Sequence, residues 1–575
     1  YQEKLFKANA LDFDDLLVFT VDILNLYPEV RKKYQEKFKY ILVDEFQDTN
    51  IAQNEIVLLL AEEHKKICVV GDDDQSIYSW RGAEIKNIIN FEKQFSKTEV
   101  IRLEQNYRST QNILNAANCI IKNNENRKDK KLWTENPEGE PVSKYIAADE
   151  KDEVDFVVRK IEEYMKVKNK KYRDFAVFYR TNAQSRAVEE CLIRRNIPYK
   201  IYGGLRFYDR KEIKDMLAYM KLIVNPKDIV SLARIINVPR RKIGKSTISI
   251  IEKYSVKNKM TFCEALYRSS EINLLSGSTK ERINDFISLM AELRGYSTEN
   301  GVSKVLQKIW KKTGYMRELE HENTIEALNR IENLRELLTV TKEYDDNFKL
   351  NNEAADLPGA ILPEIGESGE EADTGEPAGA EGLYNLDGFL EEVSLLTDID
   401  NYDESTDGLI LMTLHNAKGL EFPVVFIIGM EEGIFPHSRS MNSVEELEEE
   451  RRLCYVGITR AMEKVFLSSS IFHSIYGDTG YRNISRFINE ISPALITDEN
   501  RAESESKKSR SAKDKKDYGV KCSYKKGDFI EHKYWGQGQV LKVKKLADDC
   551  ELDVMFDKAG LKHLLLCFAP IKKIE

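Results

Sequence analysis

Short apolar runs in the first 110 residues stop abruptly at clusters of polar residues. Residues 40–43 predict a buried strand that ends at Asp44 and Glu45. Residues 67–70 predict a second buried strand, and residues 100–103 predict a third. A helical pattern follows each polar turn, which is the order of elements in βαβ units. The pattern therefore predicts a parallel sheet with polar side chains at the carboxyl ends of its strands.

The periodicity of the remaining chain divides it into helical, α/β and β parts. Residues 1–37 have the spacing of helices, and residues 211–344 are almost wholly helical. An α/β pattern begins again at residue 175 and returns at residues 408–470. Residues 524–575 alternate with a period of two, which predicts a small β-barrel at the end of the chain.

Two segments have compositions that disfavour a packed structure. Residues 351–382 are rich in Glu, Gly, Ala and Pro and contain no aromatic residue. Because such a composition buries little apolar surface, we expect a disordered acidic insertion, which is either a spacer or a mimic of DNA. Residues 498–520 are rich in charged residues and serine and predict a linker.

The net charge of the chain, −10, is unevenly distributed. Residues 345–407 contain 19 acidic residues and one basic residue, Lys349, so this segment alone has a charge of −18. The remaining chain therefore has a net charge of +8. A basic working surface that binds nucleic acid is compatible with this distribution, although the overall charge is negative.

The cysteines indicate the cellular compartment of the protein, and the first residues indicate where in a polypeptide the chain begins. The eight cysteines are scattered, and no two of them form a C-x-x-C pair. Scattered cysteines favour a reducing compartment over a disulfide framework or a zinc site, so we expect a cytoplasmic protein. The chain does not begin with Met, and its first residues form no apolar signal segment. We expect it to begin partway through a longer polypeptide.

The carboxylates after the first predicted strand are candidates for nucleotide chemistry. Ligands of open α/β sheets bind at the carboxyl ends of strands. One of the two acids, Asp44 and Glu45, could hold Mg²⁺ while the other takes a proton from an attacking water. Gln75, at the end of the neighbouring strand, is a candidate to sense a phosphate or to place a water. The alternative is that these side chains only solvate strand ends and a loop.

Two arginines and several aromatic residues are further candidates for binding nucleotide or nucleic acid. Arg108 and Arg460 each lie near a junction of a strand and a helix, where they could neutralise a transferring phosphoryl group. The alternative for each arginine is a structural salt bridge. Tyr107 could stack on a nucleobase. Tyr78, Trp80 and Arg81 could form a stacking platform for single-strand bases, whereas the alternative places Trp80 in the core.

The segment 244–247, GKST, resembles the end of a phosphate-binding loop, but it fails the full pattern. The pattern G-x-x-x-x-G-K-[ST] requires glycine at position 239, where this chain has Pro239. The basic turn instead suits a phosphate of duplex DNA, and the alternative is a solvated basic turn. The chain contains no other G-K-[ST] segment, so the loop that holds β- and γ-phosphates is missing from this sequence.

Five segments together resemble the motifs of superfamily 1A DNA helicases of the UvrD/Rep/PcrA family. In order, they are DEFQDTN, GDDDQSIYSWRGA, EQNYRST, TLHNAKGLEFPVVF and EEERRLCYVGITRA. Their order and spacing match the family, and the resemblance covers nearly the whole chain. The final segments, KYWGQGQV and LLLCFAPIKKIE, are similar to the Tudor-like module of the PcrA members.

The resemblance implies an α/β fold of two RecA-like parallel-sheet domains, the first incomplete, with an inserted helical domain and a Tudor-like β-barrel. The expected divisions are the end of domain 1B with the return to 1A (1–37), partial domain 1A (38–107), domain 2A (108–207 and 400–495), helical domain 2B (208–399), a linker (496–520) and the Tudor-like module (521–575).

The resemblance also implies ATP and Mg²⁺ as cofactors and assigns roles by motif. Asp44 resembles the Mg²⁺ ligand, Glu45 the general base and Gln75 the γ-phosphate sensor. The other nucleotide contacts implied are Tyr107 on adenine, Glu421 on ribose, and Arg108 and Arg460 as arginine fingers. Positions that face single-stranded DNA in relatives are Tyr78, Trp80, Arg81, Thr413, His415, Asn416 and Lys418. The turn of Gly244, Lys245 and Ser246 resembles a duplex contact.

The implied activity is that of an ATP-dependent 3′–5′ DNA helicase of DNA repair and replication. Single-stranded DNA and junctions with duplex are the expected partners, and the resemblance adds RNA polymerase at the C-terminal module. Because the phosphate-binding loop is missing, we expect this chain alone to be inactive. The alternatives are a DNA- or polymerase-binding regulator without ATPase activity and a helicase–nuclease subunit.

Overall fold

The computed structural model divides the chain into two compact units, residues 1–499 and Asn500–Glu575. It describes residues 1–7, 9–95, 97–125, 127–128, 130–355, 381–398, 407–475, 478–502, 526–532, 536–545, 550–556, 560–565 and 571–574. None of the helices in these ranges has the length and apolar composition that crossing a membrane requires. The predicted class, α/β with parallel sheets and a separate antiparallel module, is confirmed.

The N-terminal region, residues 1–103, contains two short parallel strands among helices. Its strands pair in register, with Ile41 opposite Ile67 and Val43 opposite Val69. Pro28 occupies the first turn of a helix, where its missing N–H is tolerated. The elements are α1 (Gln2–Lys7), α2 (Phe13–Leu26), α3 (Pro28–Lys37), β1 (Ile41–Val43), α4 (Ile51–Ala61), β2 (Ile67–Val69), α5 (Lys86–Ile89) and α6 (Phe91–Gln94).

Three expectations for the N-terminal region are wrong. The predicted strands at residues 40–43 and 67–70 form as β1 and β2, but neither is buried, since Leu42 is 78% exposed and Val70 is 51% exposed. Residues 100–103 form neither a helix nor a strand, and Leu103 is 81% exposed. The cause is shared: a strand is buried only when neighbouring elements cover its faces, and among the described residues β1 and β2 form a sheet of two.

The sheet region, residues 104–210 and 407–499, is interrupted by the helical region, residues 211–398. The first part of the sheet region contains α7 (Gln111–Ile121), β3 (Val142–Ala147), α8 (Glu150–Lys168), β4 (Phe175–Tyr179), α9 (Ser185–Arg194) and β5 (Tyr199–Ile201). The helical region contains α10 (Lys211–Val224), α11 (Ile229–Ile235), α12 (Lys245–Lys257), α13 (Phe262–Tyr267), α14 (Gly277–Ser297), α15 (Val302–Thr313), α16 (Tyr315–Glu322), α17 (Ile325–Ala355) and α18 (Glu381–Asp398).

The second part of the sheet region completes a parallel sheet. It contains β6 (Leu409–Thr413), β7 (Phe422–Ile427), α19 (Val444–Ile458), β8 (Ala461–Ser470), β9 (Phe472–Ile475), β10 (Asp478–Tyr481), α20 (Arg486–Asn489) and β11 (Ile496–Asp498). Seven of the strands in the described ranges pair in the order β11-β3-β8-β7-β4-β6-β5, and all neighbours are parallel. β9 and β10 form a separate antiparallel pair.

Helices cover both faces of this seven-stranded sheet. All five residues of β4 are buried. Phe175 and Val177 pack in one core cluster with Phe156 of α8, whereas Phe178 packs in a second cluster with Ile120 of α7. Successive side chains of a strand point to opposite faces, so a strand covered on both faces is apolar throughout.

A buried ionic cluster joins the helical region to the sheet region. Arg186 of α9 lies 2.6 Å from Glu336 of α17. His473 of β9 lies between Glu150 and Glu431, at 2.9 Å and 3.0 Å. Burial alone would lower the pKa of His473, but its hydrogen bonds to Glu150 and Glu431 outweigh burial and raise that pKa well above 6.5. The imidazole therefore carries a charge inside the junction.

Two predicted segments overlap regular structure at their ends. Residues 496–498 form β11 and pair with β3, so the linker predicted at residues 496–520 starts inside the sheet. Residues 503–520 lie outside the described residues. Of the acidic insertion predicted at residues 351–382, residues 356–380 lie outside the described residues, and the flanking residues belong to α17 and α18.

The C-terminal unit contains an antiparallel sheet. Its strands, in the described ranges, are β12 (Phe529–His532), β13 (Gly536–Lys545), β14 (Cys550–Phe556), β15 (Gly560–Leu565) and β16 (Ile571–Ile574). They pair in the order β15-β14-β13-β12-β16. The side chains of Ile530, Val540, Leu552 and Val554 are buried, which gives this unit a core of its own.

Candidate active site and nucleic-acid interface

The acidic turn after β1 carries the carboxylates of Asp44 and Glu45, and its backbone conformation is unusual. Glu45 adopts a left-handed conformation, with φ 49° and ψ 40°, and its N–H donates to Asp44 Oδ1 at 2.9 Å. A non-glycine residue in this conformation costs free energy. Gln47 Nε2 donates to Glu45 Oε2 at 2.6 Å, which orients the second carboxylate.

The donor set at this turn fits a magnesium ion that keeps much of its water. Within the described ranges, no group of three or more His, Cys, Asp or Glu side chains could enclose a metal ion. Mg²⁺ in nucleotide sites is typically held by one or two carboxylates, water and phosphate oxygens. Asp44 and Glu45 are exposed at the end of a strand, so they meet this requirement without a protein cage.

The turn of Gln75 lies beside the acidic turn because β1 and β2 are parallel neighbours. Gln47 Oε1 accepts from the backbone N–H of Asp72 at 3.0 Å, which ties the two turns together. Gln75 Nε2 donates to Asp72 Oδ2 at 2.7 Å. The structure therefore brings Asp44, Glu45 and Gln75 to the same edge of the two-stranded sheet.

Lys418 links this edge to the sheet region. Its ammonium lies 2.5 Å from Asp48 Oδ2 and 3.3 Å from Glu45 Oε2, and it donates to the backbone oxygen of Gln75 at 2.9 Å. The side chain is only 8% exposed. Burial raises the pKa of Asp48, and the contact with Lys418 opposes that rise. Lys418 therefore lies beneath the aromatic platform, which is described below, and not on the exposed face of that platform.

The two candidate arginines lie together with Glu421. Arg108 Nε contacts Glu421 Oε2 at 2.6 Å, and Arg108 Nη1 donates to the backbone oxygen of Thr459 at 3.4 Å. Arg460 is buried and donates to the backbone oxygen of Val456 at 3.1 Å. Burial and the neighbouring Arg108 lower the pKa of Arg460 to about 10. The guanidinium of Arg108 is thus paired with a carboxylate, while that of Arg460 has backbone oxygens as partners.

The arginine pair is near enough to the acidic edge for the charges to interact. Burial lowers the pKa of Arg460, whereas the negative charges of Asp72 and Glu45 raise it. Tyr107, beside Arg108, is 78% exposed, and its hydroxyl donates to Gln105 Oε1 at 3.0 Å. Its ring is therefore open to a stacking partner.

The aromatic platform consists of Tyr78, Trp80, Arg81 and His415. The Trp80 and His415 rings meet edge to face at 6.2 Å, and the Arg81 guanidinium lies 4.5 Å over the Trp80 ring. Tyr78 donates to the backbone oxygen of His415 at 3.1 Å. Burial, followed by Arg180 and Arg81, lowers the pKa of His415 to about 3, so its ring is neutral at neutral pH. Trp80 remains 41% exposed, which leaves a surface for a base.

The remaining predicted nucleic-acid residues fall in two places. Thr413 ends β6, and its backbone oxygen accepts from the N–H of Asn416 at 3.0 Å, so both border the platform. Gly244 is the N-cap of α12 in the helical region, and Lys245 and Ser246 occupy its exposed first turn. A Cβ at Gly244 would meet no atom within 4 Å, so the approach to this helix end is open.

Sequence reasoning missed the contacts that attach residues 72–81 to the sheet region. Arg127 forms two bonds to Asp74, at 3.0 Å and 2.8 Å, and Lys130 pairs with Asp72 and Asp73. Arg452 donates to the backbone oxygen of Ser76 at 2.8 Å. The run of three aspartates and the basic run at residues 127–131 were the available signal, since opposite charge runs can pair.

Models of known protein families match almost the entire chain. The UvrD-like helicase C-terminal domain matches residues 101–471, and the UvrD/REP helicase N-terminal domain matches residues 1–96. The PcrA/UvrD tudor domain matches residues 527–573.

Individual relatives match this chain over its whole length. It is 42% identical to the ATP-dependent DNA helicase PcrA of Staphylococcus aureus (strain NCTC 8325 / PS 47) and 42% identical to that of Staphylococcus epidermidis (strain ATCC 12228 / FDA PCI 1200). It is 40% identical to the ATP-dependent DNA helicase PcrA of Leuconostoc citreum. Each alignment covers 100% of this chain and 76% of the relative.

Proposed function

Because the chain belongs to the UvrD/REP family of ATP-dependent DNA helicases, we propose that it moves 3′ to 5′ along single-stranded DNA and separates the duplex ahead of it. We place this activity in DNA repair and replication. The observation that carries the proposal is the loop 413–421. Within it, His415 lies against Trp80 of the platform while Lys418 reaches Glu45 and Asp48. One loop therefore touches both the strand-binding surface and the acidic edge.

In this proposal the acidic edge performs the hydrolytic chemistry. Asp44 would hold Mg²⁺ together with water, and the ion would supply positive charge beside the phosphates. Glu45 accepts the proton of the attacking water, and its bond from Gln47 fixes the direction of the carboxylate. Gln75 contacts the γ-phosphate or the water. These roles agree with the side chains that the structure gathers at one edge.

The arginine cluster stabilises charge in the transition state. Arg108 and Arg460 each reduce the negative charge on the transferring phosphoryl group. Glu421, now bonded to Arg108, would release it and contact the ribose, while Tyr107 stacks on adenine. The nearness of the two arginines, which lowers the pKa of Arg460, supports this assignment, because a phosphoryl group could replace Glu421 as the anion beside them.

The proposed DNA path runs over the platform and the helical region. Tyr78, Trp80, Arg81, Thr413, His415 and Asn416 face the single strand, and Lys418 transmits its presence to the acidic edge. The first turn of α12, with Gly244, Lys245 and Ser246, contacts phosphates of the duplex. We assign residues 38–107 to domain 1A, residues 108–207 and 400–495 to domain 2A, and residues 208–399 to domain 2B.

ATP turnover in this proposal requires a phosphate-binding loop that the 575 residues do not contain. We expect the chain to bind single-stranded DNA with a strong salt dependence and to show negligible ATPase activity. Joining it to the part of Staphylococcus aureus PcrA that it does not match should restore ATPase activity and unwinding of 3′-tailed duplexes. Turnover by the chain alone, or preference of the chimaera for 5′-tailed duplexes, would refute the proposal.

The role of Glu45 can be tested in the same chimaera. Glu45→Gln keeps the shape of the side chain but cannot accept the proton, so kcat should fall by about 10²–10⁴-fold. DNA affinity should stay unchanged. Glu63→Gln, an exposed acid just beyond α4, is the control and should leave kcat unchanged. Normal turnover of Glu45→Gln would remove the base assignment.

A second function is supported by the C-terminal unit. The unit matches the PcrA/UvrD tudor domain, and we propose that it binds RNA polymerase, as a role independent of ATP turnover. A chain without residues 500–575 should lose polymerase binding in surface plasmon resonance and retain single-strand binding. Equal polymerase binding by both chains would exclude this role.

A further inference from the structure

The loop that follows β5 places an exposed aromatic side chain at the carboxyl end of the seven-stranded sheet. β5 is an edge strand, and its residue Ile201 pairs with Leu411 of β6. The N–H of Tyr202 donates to the backbone oxygen of Leu411 at 2.9 Å, so the strand direction continues for one more residue. Tyr202 is 53% exposed, which leaves part of its side chain open to a ligand.

This loop is bonded directly to the loop that forms the platform. Asn416 Nδ2 donates to the backbone oxygens of Tyr202 and Gly203, at 3.3 Å in each case. Gly203 has φ +71°, and a Cβ there would lie 2.5 Å from Asn416 Nδ2. The close contact therefore requires glycine at this position. The residue before Asn416, His415, has its ring against that of Trp80, so the backbone of Tyr202 and the ring of Trp80 contact adjacent residues of one loop.

The loop is also anchored on its other side. Phe207 is fully buried, and the hydroxyl of Tyr208 donates to Glu190 Oε1 at 2.9 Å. Arg210 donates to the backbone oxygen of Asn182 at 2.9 Å and to Ser185 Oγ at 2.8 Å. Because the backbone of this loop is held at both ends, little conformational entropy is lost when a ligand packs on the Tyr202 ring.

We propose that Tyr202 forms an additional base-stacking subsite for single-stranded nucleic acid, next to the platform. The inference rests on the proposed function, because it extends the same strand-binding surface. An exposed aromatic ring on a fixed backbone beside other stacking residues suits a nucleobase of any sequence, since every base has a π-face. The subsite lengthens the path of the strand toward the edge strand β5, beyond the residues that motif resemblance assigns.

The test compares oligothymidylate binding by variants of the 575-residue chain, measured by fluorescence anisotropy. Tyr202→Ala should weaken binding by about fivefold, the lower end of the effect of a base stacked on an aromatic ring. Tyr202→Phe should bind as the unmodified chain does. Tyr267→Ala is the matched control, because Tyr267 is 55% exposed but lies on α13 of the helical region, and it should change nothing.

Salt dependence separates stacking from a phosphate contact. Loss of a stacked base lowers affinity without changing the slope of log affinity against log salt, whereas loss of a charged phosphate contact reduces that slope. The slope for Tyr202→Ala should equal that of the unmodified chain. A second measurement, photo-crosslinking of an oligonucleotide that carries 5-iodouracil, should attach it to Tyr202.

The outcomes distinguish this inference from the proposed function. If the unmodified chain binds no single-stranded DNA, the proposed function fails. If it binds, and Tyr202→Ala has unchanged affinity and no crosslink forms at Tyr202, the subsite is refuted while the proposed function stands. Weaker binding by Tyr202→Phe as well would show that the hydroxyl, rather than the ring face, makes the contact, and this too would overturn stacking.

Discussion

The two parallel sheets of this chain have similar local sequences and very different surroundings. In the N-terminal region, β1 and β2 are short, and Leu42 at the centre of β1 is 78% exposed. In the sheet region, β4 is buried along its whole length between helices. The proposed hydrolytic residues, Asp44 and Glu45, follow the exposed strand. Contacts from the sheet region, such as those of Lys418 and Arg127, therefore help to hold the turns that follow the exposed strands.

The largest expected difference between the two sheets is in stability. Phe178→Ala removes a fully buried ring of β4 that meets Phe422 edge to face, and it should cost about 3–5 kcal/mol of unfolding free energy. Leu42→Ala removes an exposed side chain and should change that free energy by less than about 0.5 kcal/mol. Urea unfolding followed by circular dichroism measures both. Equal costs would show that β1 is buried in solution.

Removal of the Lys418 ammonium tests how the acidic edge is held. Lys418→Met leaves Asp48 part-buried without its partner and should loosen residues 44–48 by about 2 kcal/mol, less than for a fully buried pair because Glu45 is 58% exposed. Hydrogen exchange of these amides should quicken. Lys464→Met is the control, because Lys464 is equally buried but contacts Glu140 within the sheet region. Unchanged exchange at residues 44–48 in Lys418→Met would mean that the two-stranded sheet holds the edge by itself.

The pH dependence of stability should come from the better-packed region. Burial and the nearby Glu431 raise the pKa of Glu153 to about 7, from an ordinary value of 4.5, while His473 acts to lower it. The neutral carboxyl is thus favoured by folding. Its contribution is complete below about pH 4.5 and is lost as the pH rises through 7, a change of about 2 kcal/mol between pH 5.5 and pH 8.

Glu153→Gln should remove the part of this dependence that comes from Glu153, because its side chain stays neutral, whereas His473, whose pKa is also raised by folding, keeps its own part. The melting temperature of the unmodified chain should fall from pH 5.5 to pH 8, and that of Glu153→Gln should fall less. Glu163→Gln, an exposed position on the same helix, should behave as the unmodified chain does. A parallel decline in all three proteins would assign the pH dependence to other groups.

The smallest effect concerns the platform, in which Tyr78, Trp80 and Arg81 of the N-terminal region meet His415 of the sheet region. Trp80→Ala should weaken single-strand binding by about 1 kcal/mol, the lower end for a stacked base, since Arg81 already covers one face of the ring. Trp133→Ala is the matched control, at 43% exposure against 41% for Trp80. Unchanged affinity in Trp80→Ala, measured by anisotropy, would assign the ring to structure alone.

Sequence patterns could predict the features that depend on local order along the chain. The helices within residues 1–37, the α/β pattern from residue 175 and the adjacency of the turns after β1 and β2 are of this kind, because helical spacing, apolar runs and parallel pairing act over short distances. The five motifs also predicted the family, since their order and spacing are specific. The absence of a strand at residues 100–103 was not predictable, because strand formation there depends on neighbours outside the segment.

Contacts between distant parts of the chain could not be predicted from local patterns. Lys418 meets Asp48, which precedes it by 370 residues, and the motif gave only the expectation of a surface facing DNA. The burial of Arg460 and its nearness to Arg108 likewise depend on how two strand ends meet. Tyr202 resembles many surface tyrosines in the sequence, and only its bond to the Asn416 loop distinguishes it.

The two-stranded sheet has a consequence for the behaviour of the chain in solution. Among the described residues it has no interior strand, so β1 and β2 each present an unpaired row of backbone N–H and C=O groups. Apolar side chains, including Leu42 and Val70, stand exposed beside these rows. An exposed apolar edge is a template for pairing with another chain. As concentration rises, copies of this chain should adhere through β1 and β2, which makes colloidal stability a property of the same short strands that present the catalytic acids.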